Sequence, residues 1–232
     1  MLRILDKIEN TLFRLIFIAA ILLGVYAMYD SWYLYHNAQD RSLLAFKPSY
    51  GDGPAAPKAE VPDDMVAWLT IDGTTIDFPI MQGADNYEYL NKDPQGAYSL
   101  SGSIFLDARN ASDFSNSYSL VYGHHMEMGA MFGALDAFAD RDYFDSHRDG
   151  TLSFGGSEHP VRVFAFANVK ASDEAVFDPT DGHDTLGFIR ENASVYEEPE
   201  DGRILALTTC VDGGSDERTA VFCILPDKEA CE

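Results

Sequence analysis

Cysteines and basic residues are scarce in this sequence. Three cysteines among 232 residues are too few for a disulfide scaffold, and an odd number leaves at least one thiol free in an oxidising compartment. Lysine and arginine together number 16, against 38 aspartates and glutamates, so the formal net charge is -22 at pH 7. This charge repels a phosphate backbone and argues against nucleic acid as a partner.

The sequence also lacks metal-ligand spacing, internal repeats and low-complexity tracts. Its histidines and cysteines do not occur at the intervals that tetrahedral metal sites require, so we expect neither a metal ion nor an organic cofactor. Hydrophobic residues make up 46% of the chain. Once an anchor and a linker are set aside, one domain of roughly 150 to 200 residues remains, which suffices for a single core.

One long apolar stretch lies near the N-terminus. We predict a cytoplasmic N-terminus at residues 1–14, a transmembrane anchor with an aromatic interface belt at 15–35, and a juxtamembrane helix with a linker at 36–60. A cleaved signal peptide is the alternative, but no small-residue cleavage site follows the apolar core. Three basic residues lie in the first 14 positions and none follows until Arg41. This bias predicts a single-pass protein of the cell membrane whose main domain is extracellular.

The remaining residues, 61–232, carry the pattern of a β-rich domain. Val66–Ile71 and Thr75–Ile80 are β-prone runs joined through an Asp-Gly pair, a strong hairpin signal, and Pro79 marks the second run as an edge or bulged strand. Six further short runs are predicted strands: Gly102–Asp107, Ser117–Tyr122, Thr151–Phe154, Val161–Ala167, Arg203–Thr209 and Thr219–Leu225. Short helices are predicted at Asp85–Leu90, Met131–Asp140 and His183–Glu191. Many short strands with few helices indicate a barrel or a sandwich.

One short apolar run ends on a cysteine. Leu205–Cys210 is followed by turn residues around Asp212, so it is predicted to be a buried strand that carries one thiol to a turn. Such a thiol is a candidate nucleophile only if a base and an oxyanion donor lie nearby, because the thiolate is the reactive form. Cys223 lies inside an apolar run and is predicted to be a core residue, whereas Cys231 is next to the C-terminal residue.

Three polar features could activate this thiol. His124 and His125 follow an apolar strand, and adjacent residues on an extended chain point in opposite directions, so at most one faces a shared cleft as acid or base. Arg218, eight residues after Cys210, could bring a guanidinium back to the thiol and steady an oxyanion. Asp212 could orient either group. Each also has a structural interpretation: a solvated histidine, an arginine paired with a carboxylate, or an aspartate that forms the turn.

Taken together and in order, the motifs resemble those of the sortase family, specifically class B, over about residues 60 to 226. The matching segments are Trp68–Gln82, Asp85–Leu90, Gly102–Asp107, Tyr122–Met126, Met131–Leu135 and Leu207–Cys210 with Arg218. The resemblance implies a mainly β fold, an eight-stranded sortase-type β-barrel with short peripheral helices, preceded by an N-terminal transmembrane helix.

The resemblance also implies a cysteine transpeptidase on the surface of Gram-positive bacteria. Such an enzyme cleaves a C-terminal sorting signal of surface proteins after a threonine and joins the acyl group to an amine of a peptidoglycan precursor. By position, Cys210 is the nucleophile, His124 the acid and base, and Arg218 the stabiliser of the substrate and the oxyanion. Asp212 matches an acidic position near the site. Four positions match residues that line the sorting-signal groove: Asn86, Leu90, Tyr122 and Thr208.

Peptide preference and two alternative functions remain open. Residues 169–196 correspond to a long loop that walls the groove in class B enzymes, and they contain no strong match. The first alternative is a cell-envelope cysteine protease or amidase that only hydrolyses. The second is a non-catalytic, membrane-tethered binding domain. No apolar tail follows Leu225 and no lid segment precedes the barrel, so we do not expect an enzyme of the pilus-polymerising class.

Overall fold

The computed structural model describes residues 2–38, 41–49, 61–180, 182–209 and 216–226, and all of their side chains except those of residues 2–6, 34–38, 41 and 127. The chain divides into two compact units, residues 1–39 and 40–232. This boundary falls within the segment predicted to be juxtamembrane.

The N-terminal unit is one long helix, α1 (Leu2–Ala38). Its stretch Lys7–Tyr33 is long and apolar enough to cross a membrane. At 1.5 Å per residue these 27 residues extend about 40 Å, which exceeds the hydrocarbon thickness of roughly 30 Å. The ring of Tyr29 lies 6.1 Å from that of Trp32 and 6.2 Å from that of Tyr33, where the aromatic belt is predicted. Helix α1 is therefore a candidate membrane span.

The second unit is a closed β-barrel. Its described strands are β1 (Met65–Ile71), β2 (Asp77–Met81), β3 (Ile104–Leu106), β4 (Tyr118–Gly123), β5 (Asp149–Phe154), β6 (Ser157–Lys170), β7 (Val195–Tyr196), β8 (Gly202–Thr209) and β9 (Glu217–Pro226). Eight of them pair in the order β5-β1-β2-β3-β4-β8-β9-β6, and β6 pairs back to β5, which closes the barrel. The short strand β7 pairs with β6 in addition. The predicted eight-stranded barrel is confirmed, and each predicted strand run corresponds to one barrel strand.

Strand β2 differs from its prediction. Pro79 indicated an edge or bulged strand, but β2 lies inside the barrel, antiparallel to β1 and parallel to β3. A closed barrel has no edge strand, and pairing with β3 begins only at Ile80, so the missing N–H of Pro79 falls outside that ladder. The irregularity lies instead in β1, between Met65 and Ala67.

The segment that precedes β1 is fastened to the barrel. A 3₁₀ helix, Arg41–Phe46, contacts β2. Just after it, Lys47 Nζ lies 2.7 Å from Oδ1 of Asp77, which also accepts a hydrogen bond from Trp68 Nε1 at 2.7 Å. Part of the predicted juxtamembrane helix is thus a 3₁₀ helix docked on the barrel. The predicted linker falls largely on residues 50–60, which lie outside the described residues.

Short helices occupy the connections between strands. They are the 3₁₀ helices Glu88–Leu90, Glu127–Gly129 and Phe132–Ala139, and the α-helices α2 (Arg141–Ser146), α3 (Glu174–Phe177) and α4 (Thr185–Asn192). The predicted helix Asp85–Leu90 is helical only over its last three residues, because the Asp85 carboxylate accepts hydrogen bonds from the backbone N–H groups of Tyr87 and Glu88 and forms a turn. Helix α4 confirms the His183–Glu191 prediction except for its first two residues, and it is capped by Asp184.

Strands β4, β8 and β9 bury both of their faces. Strand β8 is parallel to β4 and antiparallel to β9. Side chains alternate along a strand, and the even-numbered residues of all three strands share one face, which we call the even face. Together with β6, α3 and α4, this face forms a cluster of buried side chains that includes Tyr118, Leu120, Phe164, Val176, Ile189, Ala206, Ala220 and Phe222. The odd-numbered residues Val121, Leu207 and Val221 are fully buried on the opposite face.

Candidate active site

The ends of β4 and β8 lie side by side. In their parallel register Gly123 is paired with Thr209. His124 is the residue after Gly123, and Cys210 is the residue after Thr209 in the sequence. The predicted nucleophile Cys210 and the predicted supporting residue Asp212 lie outside the described residues. The described part of the site therefore consists of the end of β8 up to Thr209, the residues His124 and Arg218, and their contacts.

Arg218 lies near the start of β9, beside β8. The antiparallel register pairs Thr208 with Ala220, and Arg218 precedes Ala220 by two residues. The side chain is 5% exposed, and its Nη1 donates to the carbonyl of Glu217 at 2.7 Å. On the other side of β9, Arg218 is paired with Val169 of β6. The residue is therefore largely removed from solvent, and its backbone is paired with β6.

His124 and Arg218 continue the even face. Tyr122 and Ala220 belong to the cluster on that face, and His124 and Arg218 lie two positions from them along their chains. His125 has the opposite parity. Two of the three predicted catalytic residues are thus on the same face of the barrel, and the adjacent histidine is not.

The imidazole of His124 is half-buried and is held by one backbone carbonyl. Its Nε2 lies 2.7 Å from the carbonyl oxygen of Leu90, at the end of the Glu88–Leu90 helix. A carbonyl oxygen only accepts hydrogen bonds, so Nε2 carries a proton and Nδ1 remains for proton exchange with a reacting group. Gly102, with φ of +57°, packs behind this carbonyl, and a Cβ atom there would lie 2.4 Å from the Leu90 oxygen. Glycine at this position is required for the close approach.

His125 binds a different element. Its Nε2 donates to Oδ2 of Asp136 at 2.7 Å, and its backbone forms an isolated β-bridge with Met131. Asp136 belongs to the Phe132–Ala139 helix, which contacts β6, β8 and β9. The two adjacent histidines therefore have different partners, in agreement with the argument that neighbouring residues on an extended chain point in opposite directions.

Three of the four predicted groove residues are connected through shared contacts. Asn86 Nδ2 donates to Oδ2 of Asp107 at 2.9 Å, and the hydroxyl of Tyr122 donates to the same oxygen at 3.1 Å. Leu90 and Tyr122 both pack against one small cluster, which consists of Met81, Tyr89 and Phe105. Asn86, Leu90 and Tyr122 thus belong to one contiguous region that includes the partner of His124.

Thr208 is placed differently from the other predicted groove residues. It is fully buried, and its hydroxyl donates to the carbonyl of Val121 at 3.2 Å. This bond ties β8 to β4 close to the ends of both strands. A direct contact between Thr208 and substrate stays a prediction.

Asn86 and Tyr122 converge on one carboxylate that was not predicted from the sequence, that of Asp107. The side chain of Asp107 is fully buried, and it accepts hydrogen bonds from the backbone N–H, Nε and Nη2 of Arg109 at 2.9, 2.9 and 2.8 Å. Burial raises the pKa of Asp107, but the hydrogen bonds from Arg109 and Asn86 and the Arg109 charge outweigh it and hold this pKa below its usual value. The Asp-x-Arg spacing that begins at Asp107, the last residue of the predicted strand, is the sequence signal that points to this pair.

Arg109 also reaches the long connection between β6 and β7. Its Nη2 donates to the carbonyl of Phe177 at 2.9 Å, and its Nη1 lies 3.3 Å from Oδ1 of Asp178. Nearby, the buried hydroxyl of Tyr118 donates to the carbonyl of Val176 at 2.7 Å. These bonds fix α3 beside β4, and α3 belongs to the segment predicted to wall the groove.

Among the residues that the structure describes, no group of three or more His, Cys, Asp or Glu side chains could hold a metal ion. The expectation that no metal or organic cofactor is needed stays a prediction.

Comparison with protein families identifies this barrel. The family model described as the sortase domain matches residues 69–225. The crystal structure of a Streptococcus pyogenes class B sortase involved in pilus biogenesis is 36% identical, with a TM-score of 0.65, and the match covers 72% of this chain and 94% of that one. The chain belongs to the sortase family, class B.

Two further relatives of this sortase come from other bacteria. Sortase B of Listeria monocytogenes is 35% identical over 155 residues, which are 63% of each protein, so this sortase spans less than two thirds of that relative. The crystal structure of sortase B from the type II pilus of Streptococcus pneumoniae is 30% identical, with a TM-score of 0.61, and the match covers 76% of this chain and all of that one.

Proposed function

We propose that this sortase is a cysteine transpeptidase that cleaves a C-terminal sorting signal after a threonine and transfers the acyl group to an amine. The observation that carries the proposal is the parallel register of β4 and β8, which pairs Gly123 with Thr209. The predicted acid–base residue, His124, and the predicted nucleophile, Cys210, are the next residues in the sequence after these two. Arg218, buried on the neighbouring strand, supplies a fixed positive charge.

In the first step the thiolate sulfur of Cys210 bonds to the carbonyl carbon of the threonine, and one carbonyl electron pair moves to the oxygen. The guanidinium of Arg218 stabilises this oxyanion through its charged N–H groups. The C–N bond then breaks, and His124 gives its Nδ1 proton to the departing amine. Because Nε2 is bonded to Leu90, the ring keeps its orientation while Nδ1 exchanges the proton.

In the second step the same groups act in reverse. The acceptor amine attacks the thioester carbonyl, and Nδ1 of His124 takes a proton from it. The C–S bond then breaks, which regenerates the Cys210 thiolate and leaves a new amide bond between the surface protein and the acceptor. Asp212 is proposed to support this site from the turn after Cys210.

The sorting-signal peptide is proposed to bind beside Asn86, Leu90 and Tyr122, with Thr208 beneath the scissile bond. The shared hydrogen bonds of Asn86 and Tyr122 to Asp107 support this assignment, because they fix both side chains before any peptide binds. The second wall of the groove is the connection between β6 and β7, which Arg109 holds in place.

Helix α1 is proposed to anchor the enzyme as a single-pass protein of the cell membrane, with a cytoplasmic N-terminus and an extracellular barrel domain. The basic residues before the apolar stretch support this orientation. Such an anchor raises the effective concentration of the enzyme next to a substrate that is itself held in the membrane.

An amine of a peptidoglycan precursor is proposed as the acceptor. The identity to the Streptococcus pyogenes enzyme involved in pilus biogenesis favours a second candidate, in which the acceptor is a side-chain amine of another protein subunit. The chemistry at His124 is the same for both acceptors, so the two candidates differ only in what binds after the acyl-enzyme forms.

Cleavage of a peptide library by the full-length protein in detergent tests the proposal. Each quenched fluorescent peptide carries a five-residue candidate sorting signal that contains a threonine. We expect cleavage that is lost in Cys210→Ala. We also expect the cleaved peptide to be joined to triglycine, a peptidoglycan-type amine, in preference to Nα-acetyl-lysine amide, which offers a side-chain amine. Preference for the lysine amide would favour the subunit-joining candidate. Free acid alone at saturating amine would favour the protease or amidase, and no cysteine-dependent cleavage would favour the binding domain.

A further inference from the structure

A chain of hydrogen bonds runs beside the proposed catalytic residues. Nε2 of His125 donates to Oδ2 of Asp136 at 2.7 Å, and the hydroxyl of Thr219 donates to Oδ1 of the same carboxylate at 2.9 Å. The backbone N–H of Thr219 in turn donates to the hydroxyl oxygen of Thr209 at 3.1 Å. We call these four residues the support chain. It connects the turn after β4 to β9 through one carboxylate, and β9 to the end of β8 through Thr219.

Three members of the support chain are sequence neighbours of the three proposed catalytic residues. They are His125, which follows His124, Thr219, which follows Arg218, and Thr209, which precedes Cys210. Because side chains alternate along extended chain, each of these neighbours has the parity opposite to the even face. The support chain therefore links the sequence neighbours of the catalytic positions to one another from the other face of the sheet.

We propose that Asp136 is a positioning residue that fixes the relative placement of His124, Arg218 and Thr209, the residue before the proposed nucleophile, through the support chain. This inference rests on the proposed transpeptidase function and assigns a role to a carboxylate that does not itself touch the reacting atoms. Each oxygen of the carboxylate has one partner, one from the turn after β4 and one from β9. Asp136 is thus the point at which these two elements are joined.

The helix that carries Asp136 is itself firmly placed. Its side chains Phe132, Leu135 and Phe138 are fully buried. Gly133 packs so closely on the turn after His125 that a Cβ atom there would lie 1.9 Å from the carbonyl oxygen of Met126. The carboxylate is therefore held by a packed backbone, although the Asp136 side chain itself is 52% exposed.

Loss of the support chain is expected to affect turnover more than peptide binding. The proposed groove residues Asn86 and Tyr122 are held by Asp107, which does not belong to the support chain. A shift of about 1 Å between a nucleophile and its acid–base partner lowers a rate by roughly 100-fold. A defect in positioning therefore appears in kcat, whereas KM for the peptide stays close to its wild-type value.

The variants Asp136→Ala and Asp136→Asn, measured in the full-length protein with the best peptide from the threonine library, test this role. We expect Asp136→Ala to lower kcat roughly 10- to 100-fold with KM changed by no more than about twofold. In Asp136→Asn the amide oxygen can accept a hydrogen bond from Thr219, and the amide NH₂ can donate one to Nε2 of a neutral His125. This variant is therefore expected to keep most of the activity that Asp136→Ala loses. The matched control is Asp142→Ala, an exposed aspartate on the adjacent helix α2, with wild-type kcat expected.

A double variant tests whether the members act as one unit. If Asp136 and Thr219 act through the same chain, Asp136→Ala combined with Thr219→Val lowers kcat no further than the worse single variant. Additive losses, or a kcat for Asp136→Ala equal to that of Asp142→Ala, would overturn the proposal. So would an Asp136→Asn variant as impaired as Asp136→Ala, because a hydrogen-bonding role requires rescue by the amide.

Alkylation of Cys210 separates this proposal from the proposed function. The rate of Cys210 carbamidomethylation by iodoacetamide, followed by peptide mass spectrometry, depends on the surroundings of the thiol and requires no peptide substrate. We expect the rate in Asp136→Ala to differ by about threefold or more from that in Asp142→Ala. An unchanged rate would overturn the positioning role even in an active enzyme. Absence of peptide cleavage in the wild-type protein would instead overturn the transpeptidase proposal, and the alkylation rates would still test the support chain.

Discussion

Nε2 of His124 lies 2.7 Å from the carbonyl oxygen of Leu90, and this bond leaves Nδ1 as the nitrogen for proton transfer. Leu90 is also a proposed groove residue, so the ring that we propose as the acid and base is oriented by the backbone of the proposed groove. His125, one position further, donates to Asp136 on the other side of the sheet. The two rings therefore have different hydrogen-bond partners, and this difference supports the different roles that we propose for them.

Replacement of each histidine by glutamine separates these roles. We expect His124→Gln to lower kcat for peptide cleavage by about 10² to 10⁴, the usual contribution of a general acid–base residue. His125→Gln removes no proton donor and keeps a side chain that can reach Asp136, so its loss is expected to stay within about tenfold. Steady-state kinetics with the library peptide measure both, and an equal loss in the two variants would contradict the assignment.

Substitution of Gly102 tests the bond to Leu90 from the opposite side. Gly102→Ala adds a Cβ atom 2.4 Å from the Leu90 oxygen, and Gly155→Ala, with nearly the same φ of +58°, adds one in open space. Both variants carry backbone strain of about 1 kcal/mol. Only Gly102→Ala is expected to lower peptide cleavage as well, because it displaces the carbonyl that orients His124. Thermal unfolding measures the strain in both variants, and steady-state kinetics measure their peptide cleavage. Equal activities would refute the orienting role of the Leu90 carbonyl.

Removal of the Arg109 charge is expected to give a pH-dependent loss of stability. The folded-state pKa of Asp107 lies below its unfolded value, so its ionised form stabilises the fold above the ordinary aspartate pKa of about 4, and this contribution disappears as the pH falls through the folded-state pKa. Arg109→Gln is therefore expected to lower the free energy of unfolding by about 1–3 kcal/mol at neutral pH, and by less in acid.

Urea unfolding at a series of pH values measures this difference. Arg162→Gln is the control, because Arg162 is similarly exposed and lies 3.8 Å from the exposed carboxylate of Asp149. A surface pair of this kind contributes about 0.2–1 kcal/mol. A loss in Arg109→Gln that does not change with pH would show that the charge of Asp107 is not involved.

Cys223 is expected to be inert as a thiol. It is fully buried, as the apolar run predicted, and burial raises its pKa to about 12. In a variant that carries Cys210→Ala and Cys231→Ala, iodoacetamide at about pH 8 should leave Cys223 unmodified in the folded protein and alkylate it in urea. Mass spectrometry of the intact protein distinguishes the two cases, and rapid modification of the folded protein would contradict the buried assignment.

The barrel strands could be predicted because each shows either an alternation of apolar and polar residues or an apolar run bounded by turn residues. Strand β7 could not, since two residues are too short to show a period. The helix predicted at Met131–Asp140 is the 3₁₀ helix Phe132–Ala139, and the helix α2 that follows it was not predicted. Asp140 ends the first element and caps the second by accepting a hydrogen bond from the backbone N–H of Tyr143, a double role that composition does not reveal.

Candidate site residues were predictable where they belong to ordered motifs, as for His124 and Arg218, and their roles stay predictions. The two organising carboxylates were not, because their roles depend on contacts across the barrel. Asp136 and Thr219 are 83 positions apart and meet only after β4 and β9 are in place. Asp107 stands at the end of a predicted strand, but its importance comes from burial and from the side chains that converge on it.

The parallel pairing of β4 with β8 determines when the proposed catalytic residues come together during folding. Parallel neighbours require a long crossover, which here contains β5, β6 and β7, and contacts between distant segments form late in folding. Before folding, the chain therefore carries its proposed acid–base residue and its proposed nucleophile on separate, unpaired segments. The proposed transpeptidase activity therefore begins only when the barrel closes and brings these segments together.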